Sequence, residues 1–371
     1  MAVKWWQRPA PDPARGRGAG LALGERLTIA LDAMGGDNAP DIVIDGANLA
    51  LTRFPQVDFL LFGPEPKLSA MLAKLPKLRD RARIVHTDAV VAGDAKPSIA
   101  LRNGRQSSMR LAINAVQEGH AAGVVSAGNT GALMAMAKLA LRTLPGIDRP
   151  AICSFFPTLR GESVMLDLGA NIDCDADNLF QFAVMGEVFS RTVLGLARPT
   201  VGLLNVGAED QKGHESLRVA GQRLRDARLP IAFHGFIEGN DIAAGTVDVI
   251  VTDGFTGNVA LKTAEGTVKL FSQSLRSAFQ SSPLASIGYF FARPALHKLR
   301  RRLDPRRYNG AVFLGLNGIA VKSHGGADAL GFANAIGVAV DMALHGFLDT
   351  VREEFQHLHP SFGSTPAVVA P

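Results

Sequence analysis

Short apolar runs alternate along the chain with longer segments of helical periodicity. The predicted strands are LTIALDA, VDFLLFG, RIVHTD, GVVSAG, AICSFF, SVMLDLG, TVGLLNVG and VDVIVTDG. The predicted helices lie between them, at 41–53, 106–118, 130–143, 177–196, 214–227 and 258–280. This alternation is typical of a mostly parallel sheet covered by helices on both faces. We therefore predict an α/β fold with three layers, α/β/α.

No internal repeat or low-complexity linker divides this pattern, so the sequence predicts a single domain over 27–353. Residues 1–26 are rich in Pro, Arg and Gly and lack the apolar core of a signal peptide, which favours a flexible basic extension. A second flexible tail is expected over 354–371. No apolar run reaches the length that a membrane-spanning helix needs, about 18 residues.

Small and polar residues cluster where almost every predicted strand ends. The clusters are DAMGGDN, SAGNTGA, DLGANID, NVGAEDQKGHE, EGND and DGFTGN. Ligands of open α/β sheets bind outside the carboxyl ends of the strands, although ordinary turns have the same composition. Because there are six such loops, we expect them to converge on one edge of the sheet and form a site there.

The strongest candidate for an anion site is the loop Ser126–Gly131, which joins a predicted strand to a predicted helix. Its glycines would let an anion approach the N–H groups at the start of the helix. Asn129 or Thr130 could equally be the N-cap of that helix, and the two interpretations are compatible. A P-loop is excluded because GxxxxGK[ST] is absent, and no GxGxxG follows a predicted strand, which argues against a nicotinamide dehydrogenase.

Two later loops carry charged side chains. NVGAEDQKGHE supplies Asn205, Lys212 and His214, which could bind a substrate or cap the next helix. In DGFTGNVALKTAEG, Lys262 could contact a phosphate or form an exposed pair with Glu265 on the same helix.

The distribution of charge and the cysteine content limit which partners and cofactors the chain is expected to have. The chain carries a net charge of +5, but the positive charge is concentrated in 1–26 and 293–307, which is a poor footprint for a nucleic-acid-binding protein. Cys153 and Cys174 are the only cysteines, so a reducing cytoplasm is expected and no disulfide framework is implied. NIDCDADN begins like a calcium loop but lacks its Gly and Glu, and we expect no metal.

A segment at 281–308 combines apolar and basic residues in SPLASIGYFFARPALHKLRRRLDPRR. This composition is typical of a helix that lies on an anionic membrane surface, here over 284–307. A partner subunit or an acidic protein could use the same residues. Because Pro294 interrupts the pattern, two short helices or a hairpin are expected rather than one rod.

Several long blocks of the sequence resemble the phosphate acyltransferase (PlsX) family. They are IALDAMGGDNAP, SSMRLAINAV, VSAGNTGALMAMAKLALR, LDLGANIDC, LLNVGAEDQKG, IVTDGFTGNVALKTAEG and LGLNGIAVKSHG. The blocks occur in order from about Leu27 to about Phe347. The chain departs from the family in its longer basic N-terminal extension and its short C-terminal one.

The resemblance implies a Rossmann-like fold similar to phosphotransacetylases and isocitrate dehydrogenase-like enzymes. It also implies a homodimeric, cytoplasmic, peripherally membrane-associated bacterial enzyme of phospholipid synthesis. Such an enzyme transfers a fatty acyl group from acyl–acyl carrier protein to inorganic phosphate and needs no cofactor. Two alternatives stay open: a phosphotransacetylase acting on coenzyme A thioesters, and a non-catalytic protein that binds acyl–acyl carrier protein.

This chemistry suggests roles for particular residues. Lys262 and the Ser126–Gly131 loop would hold phosphate with the Gly35–Gly36 backbone, and an Asn would stabilise the oxyanion. Lys212 or His214 would protonate the leaving thiolate. The predicted catalytic residues are Asn129, Lys212, His214, Asn258 and Lys262. The predicted substrate-binding residues are Asp32, Gly35, Gly36, Asn38, Ser126, Gly128, Thr130, Gly131, Asn171, Asn205 and Asp253. Because carboxylates repel phosphate, Asp32 and Asp37 are expected to cap the next helix or to orient Lys and Asn donors.

Overall fold

The computed structural model describes residues 26–227, 231–302 and 304–362. Their strands are β1 (Leu27–Asp32), β2 (Val57–Gly63), β3 (Ala82–His86), β4 (Gly123–Ser126), β5 (Ala151–Pro157), β6 (Glu162–Leu166), β7 (Thr200–Leu204), β8 (Ala232–Ile237), β9 (Val249–Val251), β10 (Ala311–Leu314) and β11 (Ile319–Lys322). All of them join one sheet, in the order β3-β2-β1-β4-β11-β10-β5-β6-β9-β7-β8.

Most of the helices of the described residues lie on the two faces of this sheet. They are α1 (Asp41–Arg53), α2 (Glu65–Leu72), α3 (Pro76–Arg79), α4 (Pro97–Asn103), α5 (Ser108–Gln117), α6 (Thr130–Leu141), α7 (Ala176–Val193), α8 (Glu215–Asp226), α9 (Gly239–Ala244), α10 (Gly254–Gln280), α11 (Pro283–Arg302), α12 (Ala329–Leu344) and α13 (Phe347–Phe362), with a short 3-10 turn at Pro305–Tyr308.

Alternation along the strands creates two apolar cores. In β1, Ile29 and Leu31 face a core shared with α1, α7 and α12, whereas Ala30 faces a core shared with α4, α5 and α6. Most of the helices present an apolar stripe to one of these cores, whereas α11 and most of α10 are exposed, and the molecule has the predicted three α/β/α layers. The fold class is confirmed.

The sheet is mostly parallel, but three antiparallel pairings follow one another at its centre. They are β11 with β10, β10 with β5, and β5 with β6. Every other pairing is parallel. Because the direction inverts an odd number of times, β1–β4 and β11 run one way, and β6–β9 run the other way.

This inversion separates the polar loops, and the expectation that all six converge on one edge is wrong. The loops after β1 and β4 lie at one edge, which we call the first edge, together with the end of β11. The loops after β6, β7, β8 and β9 lie at the opposite edge, the second edge. β4 and β6 are also four strands apart, or about 19 Å across the sheet at the usual spacing.

Helix α13 extends the ordered chain beyond the predicted end of the domain. The tail expected from residue 354 is wrong as far as Phe362, where α13 ends. Val351 and Phe355 are buried one turn apart, and Glu354 pairs with Arg191 of α7 at 2.7 Å. The extension predicted over 1–26 lies outside the described residues except for Arg26, as do residues 363–371.

The segment predicted to be apolar and basic forms α11, which pairs with the long helix α10. Pro294 lies inside α11 and does not split it into two helices, contrary to expectation. The helix is exposed there, so water can satisfy the carbonyl group that a proline leaves without a donor. No single helix among the described residues is long and apolar enough to cross a membrane, and α12 with α13 meets that criterion only as a pair bent by 53°.

Candidate functional site

Three loops meet at the first edge, and glycines permit their close approach. A Cβ atom on Gly35 would lie 2.5 Å from Asp32 Oδ2 and 2.8 Å from the Gly128 nitrogen. Gly36 has φ +105°, and a Cβ there would lie 2.9 Å from the Ala127 Cβ and 3.1 Å from the Gly325 oxygen. The loops after β1, β4 and β11 are therefore in contact at positions that admit no side chain.

Asp32 is a buried residue that holds these loops in place through hydrogen bonds. Its carboxylate is fully buried and accepts hydrogen bonds from the hydroxyl groups of Ser108 and Ser126, each at 2.6 Å. Burial raises the pKa of Asp32, and the two hydroxyl donors oppose that rise. One of our two expectations was that Asp32 caps the following helix, and this is wrong. The N-cap of α1 is Pro40, which forms no side-chain hydrogen bond.

The start of α6 is built as the sequence predicts. The Gly128 N–H donates to Ser126 Oγ at 3.0 Å, and the Asn129 Oδ1 accepts from the Ala132 N–H at 2.8 Å. Asn129 is therefore the N-cap, and Thr130 opens the helix. The Asn129 amide also donates to the Gly93 carbonyl at 2.7 Å, so both ends of this side chain hold the local structure.

Lys322, the last residue of β11, brings a positive charge to the same edge. Its register partner in β4 is Ser126. The ammonium group donates to the main-chain oxygens of Ala127, at 3.3 Å, and Ser323. Burial lowers the pKa of Lys322 to about 8, while Asp37 and Asp32 oppose the fall.

The first edge therefore combines a buried cation, tightly packed glycine loops and the N-terminus of a helix. The early N–H groups of a helix have no partner within it, and its dipole favours negative charge there. Such an arrangement can hold a phosphate-like anion. The exposed Asn38 lies beside it in the loop after β1, and Gly131 lies in the first turn of α6.

At the second edge, the Asn171 side chain stabilises the local structure through hydrogen bonds. Its amide donates to the Pro150 carbonyl and to Asp167 Oδ2, both at 2.9 Å. Asp167 is fully buried, and four further N–H groups donate to it, from Ile152, Gly169, Ala170 and Asn171. This buried carboxylate organises the loop after β6 as Asp32 organises the first edge.

Three more predicted residues belong to α10, which begins at the second edge. Asp253 is the N-cap of α10 and accepts from the Thr256 N–H at 2.8 Å. Asn258 is exposed beside Gly169, whose Cβ would lie 3.4 Å from the Asn258 Nδ2. The Lys262 ammonium pairs with Glu265 at 3.0 Å, which is the alternative that the sequence left open.

The loop after β7 holds the remaining predicted residues. Asn205 Oδ1 accepts from the Val206 N–H at 2.9 Å, and its amide donates to the Lys212 carbonyl at 3.1 Å. Lys212 is exposed and pairs with Glu209 at 2.9 Å, which raises the pKa of its ammonium group. His214 is the exposed N-cap residue of α8 and forms no side-chain cap.

Part of the first edge is predicted from the sequence, but two of its residues are not. Asp32, Gly35, Ser126 and Gly128 do meet. Ser108 was missed, although the pair of serines before an apolar helical pattern marks a helix start. Lys322 was missed because β11 was not predicted, so nothing indicated that a lysine ends a central strand.

Neither metal nor cysteine chemistry has support in the described residues. No group of three or more His, Cys, Asp or Glu side chains there could hold a metal ion. Burial and the Asp167 charge raise the pKa of Cys174 to about 12, and burial raises that of Cys153 well above its usual range. Both thiols therefore stay protonated at neutral pH and are poor nucleophiles.

Solved structures with a similar fold include phosphotransacetylases. The enzyme from Streptococcus pyogenes has a TM-score of 0.59 at 18% sequence identity, covering 87% of this chain and 95% of that one. The EutD phosphotransacetylase from Staphylococcus aureus has a TM-score of 0.56 at 17% identity, covering 86% and 95%. At these identities the likeness shows the shared fold.

Sequence comparison is more specific. The profile of the family described as "Fatty acid synthesis protein" matches residues 27–350. The phosphate acyltransferase of Rhodospirillum centenum is 67% identical over 336 residues, which cover 91% of this chain and 95% of that relative. The phosphate acyltransferase of Paramagnetospirillum magneticum is 62% identical, covering 90% and 95%. The chain therefore belongs to the fatty acid synthesis protein family, together with relatives named phosphate acyltransferase.

Proposed function

We propose that this chain transfers a fatty acyl group from acyl–acyl carrier protein to inorganic phosphate, giving acyl phosphate and free carrier protein for phospholipid synthesis. The names of the relatives support acyl transfer to phosphate. The observation that carries the proposal is the contact between the Gly35–Gly36 and Ser126–Gly128 loops at the N-terminus of α6. Such a junction suits an anion that must approach the backbone closely.

The reaction needs positioning more than a protein nucleophile. A phosphate oxygen attacks the thioester carbonyl, a tetrahedral oxyanion forms, and the carbon–sulfur bond breaks to release a thiolate that takes up a proton. Holding phosphate beside the thioester supplies the largest share of such a rate enhancement, together with donors to the oxyanion. The poor nucleophilicity of Cys153 and Cys174 agrees with direct attack by phosphate.

The roles assigned to individual side chains are revised on this geometry. Asn129 and Asn171 hold backbone groups in place, which favours a positioning role for both. Asn258, Lys212, His214 and Lys262 belong to the second edge, on the opposite side of the sheet from the phosphate site proposed here. Their predicted roles as oxyanion donor, proton donor and phosphate ligand are therefore not part of the site proposed at the first edge.

The identity of the acyl donor separates this proposal from its alternatives. We expect acyl phosphate to form from acyl–acyl carrier protein and phosphate at a far higher kcat/KM than from acyl–coenzyme A. ³¹P NMR of the reaction with each donor checks this. Turnover with acyl–coenzyme A alone would instead favour a phosphotransacetylase, and binding of acyl–acyl carrier protein without turnover would favour a non-catalytic protein.

We also propose that α11 holds this otherwise cytoplasmic enzyme at the membrane surface. Leu284, Phe290 and Phe291 of α11 are 69–78% exposed, which is unusual for residues of this size. The exposed Arg293 and Lys298 follow them on the same helix. Apolar side chains beside cations fit an anionic lipid surface, where the acyl phosphate product would be released.

Replacement of Phe290 and Phe291 by Ser tests the membrane proposal. We expect the double variant to lose binding to vesicles of anionic lipid while keeping wild-type turnover with acyl–acyl carrier protein. Leu139→Ser is the matched control, because Leu139 is a 60% exposed apolar residue on α6. Flotation with vesicles measures binding, and undiminished binding of the double variant would contradict the proposal.

The remaining partner is proposed to be a second copy of the chain. The distal part of α10 presents Leu270 and Phe271, which are 66% and 51% exposed. A homodimer that buried these residues would leave α11 free to contact lipid. Sedimentation at twice the mass of one chain is expected.

A further inference from the structure

Lys322 is the only buried lysine among the residues that the structure describes. It ends a strand in the interior of the sheet, between β4 and β10. Only 9% of the residue is exposed. Lysines are rarely buried unless a partner offsets the loss of hydration, so this position calls for a counter-charge.

The hydrogen bonds of the Lys322 ammonium group do not fully replace the hydration that it loses on burial. It donates to two main-chain oxygens, of Ala127 and Ser323. An ammonium group has three protons, so one remains to be directed elsewhere. Asp32 and Asp37 act on Lys322 through their charges, without an ion pair to it among the described residues.

The loop that the Lys322 ammonium group contacts has the features of an anion site. The Ala127 carbonyl that it contacts lies three residues before Thr130, the first residue of α6. The N–H groups of Thr130 and Gly131 belong to the first helical turn and have no partner within the helix. A cation and a helix N-terminus thus flank one loop, and Gly35 and Gly36 keep side chains out of it.

We propose that the Lys322 ammonium group binds the phosphate substrate beside the N-terminus of α6 and holds it for attack on the thioester. This inference rests on the proposed function and adds to it a residue for phosphate. The positive charge of Lys322 also offsets the repulsion that the two nearby carboxylates would exert on phosphate. Asp32 is occupied by two hydroxyl donors, and Asp37 is an exposed residue whose charge acts on Lys322.

Phosphate binding by Lys322 should depend on pH. The charged groups that act on Lys322 are Asp32 and Asp37, and His324 lies two residues further along the chain. Because burial lowers the pKa of Lys322 to about 8, the ammonium group is charged at neutral pH and loses its proton as the pH rises through that value. Phosphate affinity should therefore fall above a pH of about 8.

Lys322→Met tests the proposal, since Met keeps much of the side-chain shape and removes the charge. We expect the KM for phosphate to rise about 10- to 100-fold, the usual cost of a hydrogen bond to a charged group, with little change in the KM for the acyl donor. The alkaline fall in phosphate affinity should disappear with the charge. Lys138→Met, an exposed lysine near the far end of α6, is the matched control.

Phosphate binding measured by calorimetry separates the possible failures. If the wild-type chain binds phosphate through Lys322 but forms no acyl phosphate, the proposed function fails and this inference stands. If the wild-type chain turns over and Lys322→Met keeps the wild-type phosphate KM, this inference fails alone. Should Lys322→Met not fold, phosphate binding by the wild-type chain across the alkaline range decides, and affinity constant through a pH of about 8 overturns the proposal.

Discussion

Asp32→Asn is expected to lower kcat for acyl phosphate formation about 100-fold without lowering the melting temperature. The carboxylate orients the hydroxyl groups of Ser108 and Ser126 and thereby fixes the loops that would hold phosphate. A misplacement of about 1 Å in such a site costs about 100-fold in rate. Initial rates and thermal melting of the two proteins measure both effects.

The direction of the stability effect follows from the raised pKa of Asp32. A carboxyl group whose folded-state pKa lies above its unfolded value stabilises the fold fully below the unfolded pKa, and this contribution is lost as the pH rises through the folded pKa. At neutral pH the buried charge is therefore a cost, which Asn removes. Asp45→Asn, on the exposed face of α1, is the control. Wild-type kcat in Asp32→Asn would contradict the positioning role, and a large loss of stability would contradict the electrostatic argument.

Gly257→Ala is expected to destabilise the protein by about 3 kcal/mol, the upper part of the range for forcing an extra methyl group into a packed region. A Cβ on Gly257 would lie 1.9 Å from the main-chain oxygen of Asp167 and 3.1 Å from its carbonyl carbon. Backbone atoms cannot rotate away as a side chain can. The first turn of α10 would have to separate from the loop after β6, and the melting temperature should fall by about 4 °C for a domain of this size.

Gly266→Ala is the matched control on the same helix. A Cβ at Gly266 meets nothing within 4 Å, and this glycine lies in the exposed part of α10. Ala is the better helix former by about 1 kcal/mol, so this variant should melt slightly above the wild type. Equal melting temperatures for Gly257→Ala and Gly266→Ala would show that the contact between α10 and the loop after β6 does not limit stability.

Six of the helices, α1, α5, α6, α7, α8 and α10, could be predicted from sequence because their signals are local, whereas α12 and α13 near the C-terminal end were not predicted. The segment predicted at 41–53 is α1, Asp41–Arg53, and that predicted at 177–196 differs from α7 by one to three residues at its ends. An apolar stripe with a period of 3.6 residues is set by the side chains of one segment, whatever that segment packs against. The glycine-rich turns after β1 and β4 were equally visible.

Strand direction could not be predicted in the same way. Whether a strand runs parallel or antiparallel to its neighbour depends on partners far along the chain, as when β10 pairs with β5. β10 and β11 are four residues each and surround glycines, so their local pattern is weak. Because β10 and β11 were not predicted, neither the inversion that separates the two edges nor the position of Lys322 could be predicted.

The central claim is that the first edge holds phosphate for direct attack on an acyl thioester. The most direct measurement follows ³¹P NMR and carrier-protein thiol release together, for the wild-type chain supplied with acyl–acyl carrier protein and phosphate. We expect one acyl phosphate for each thiol released, and both rates should fall together in Asp32→Asn. Thiol release without acyl phosphate, or wild-type acyl phosphate formation by Asp32→Asn, would contradict it.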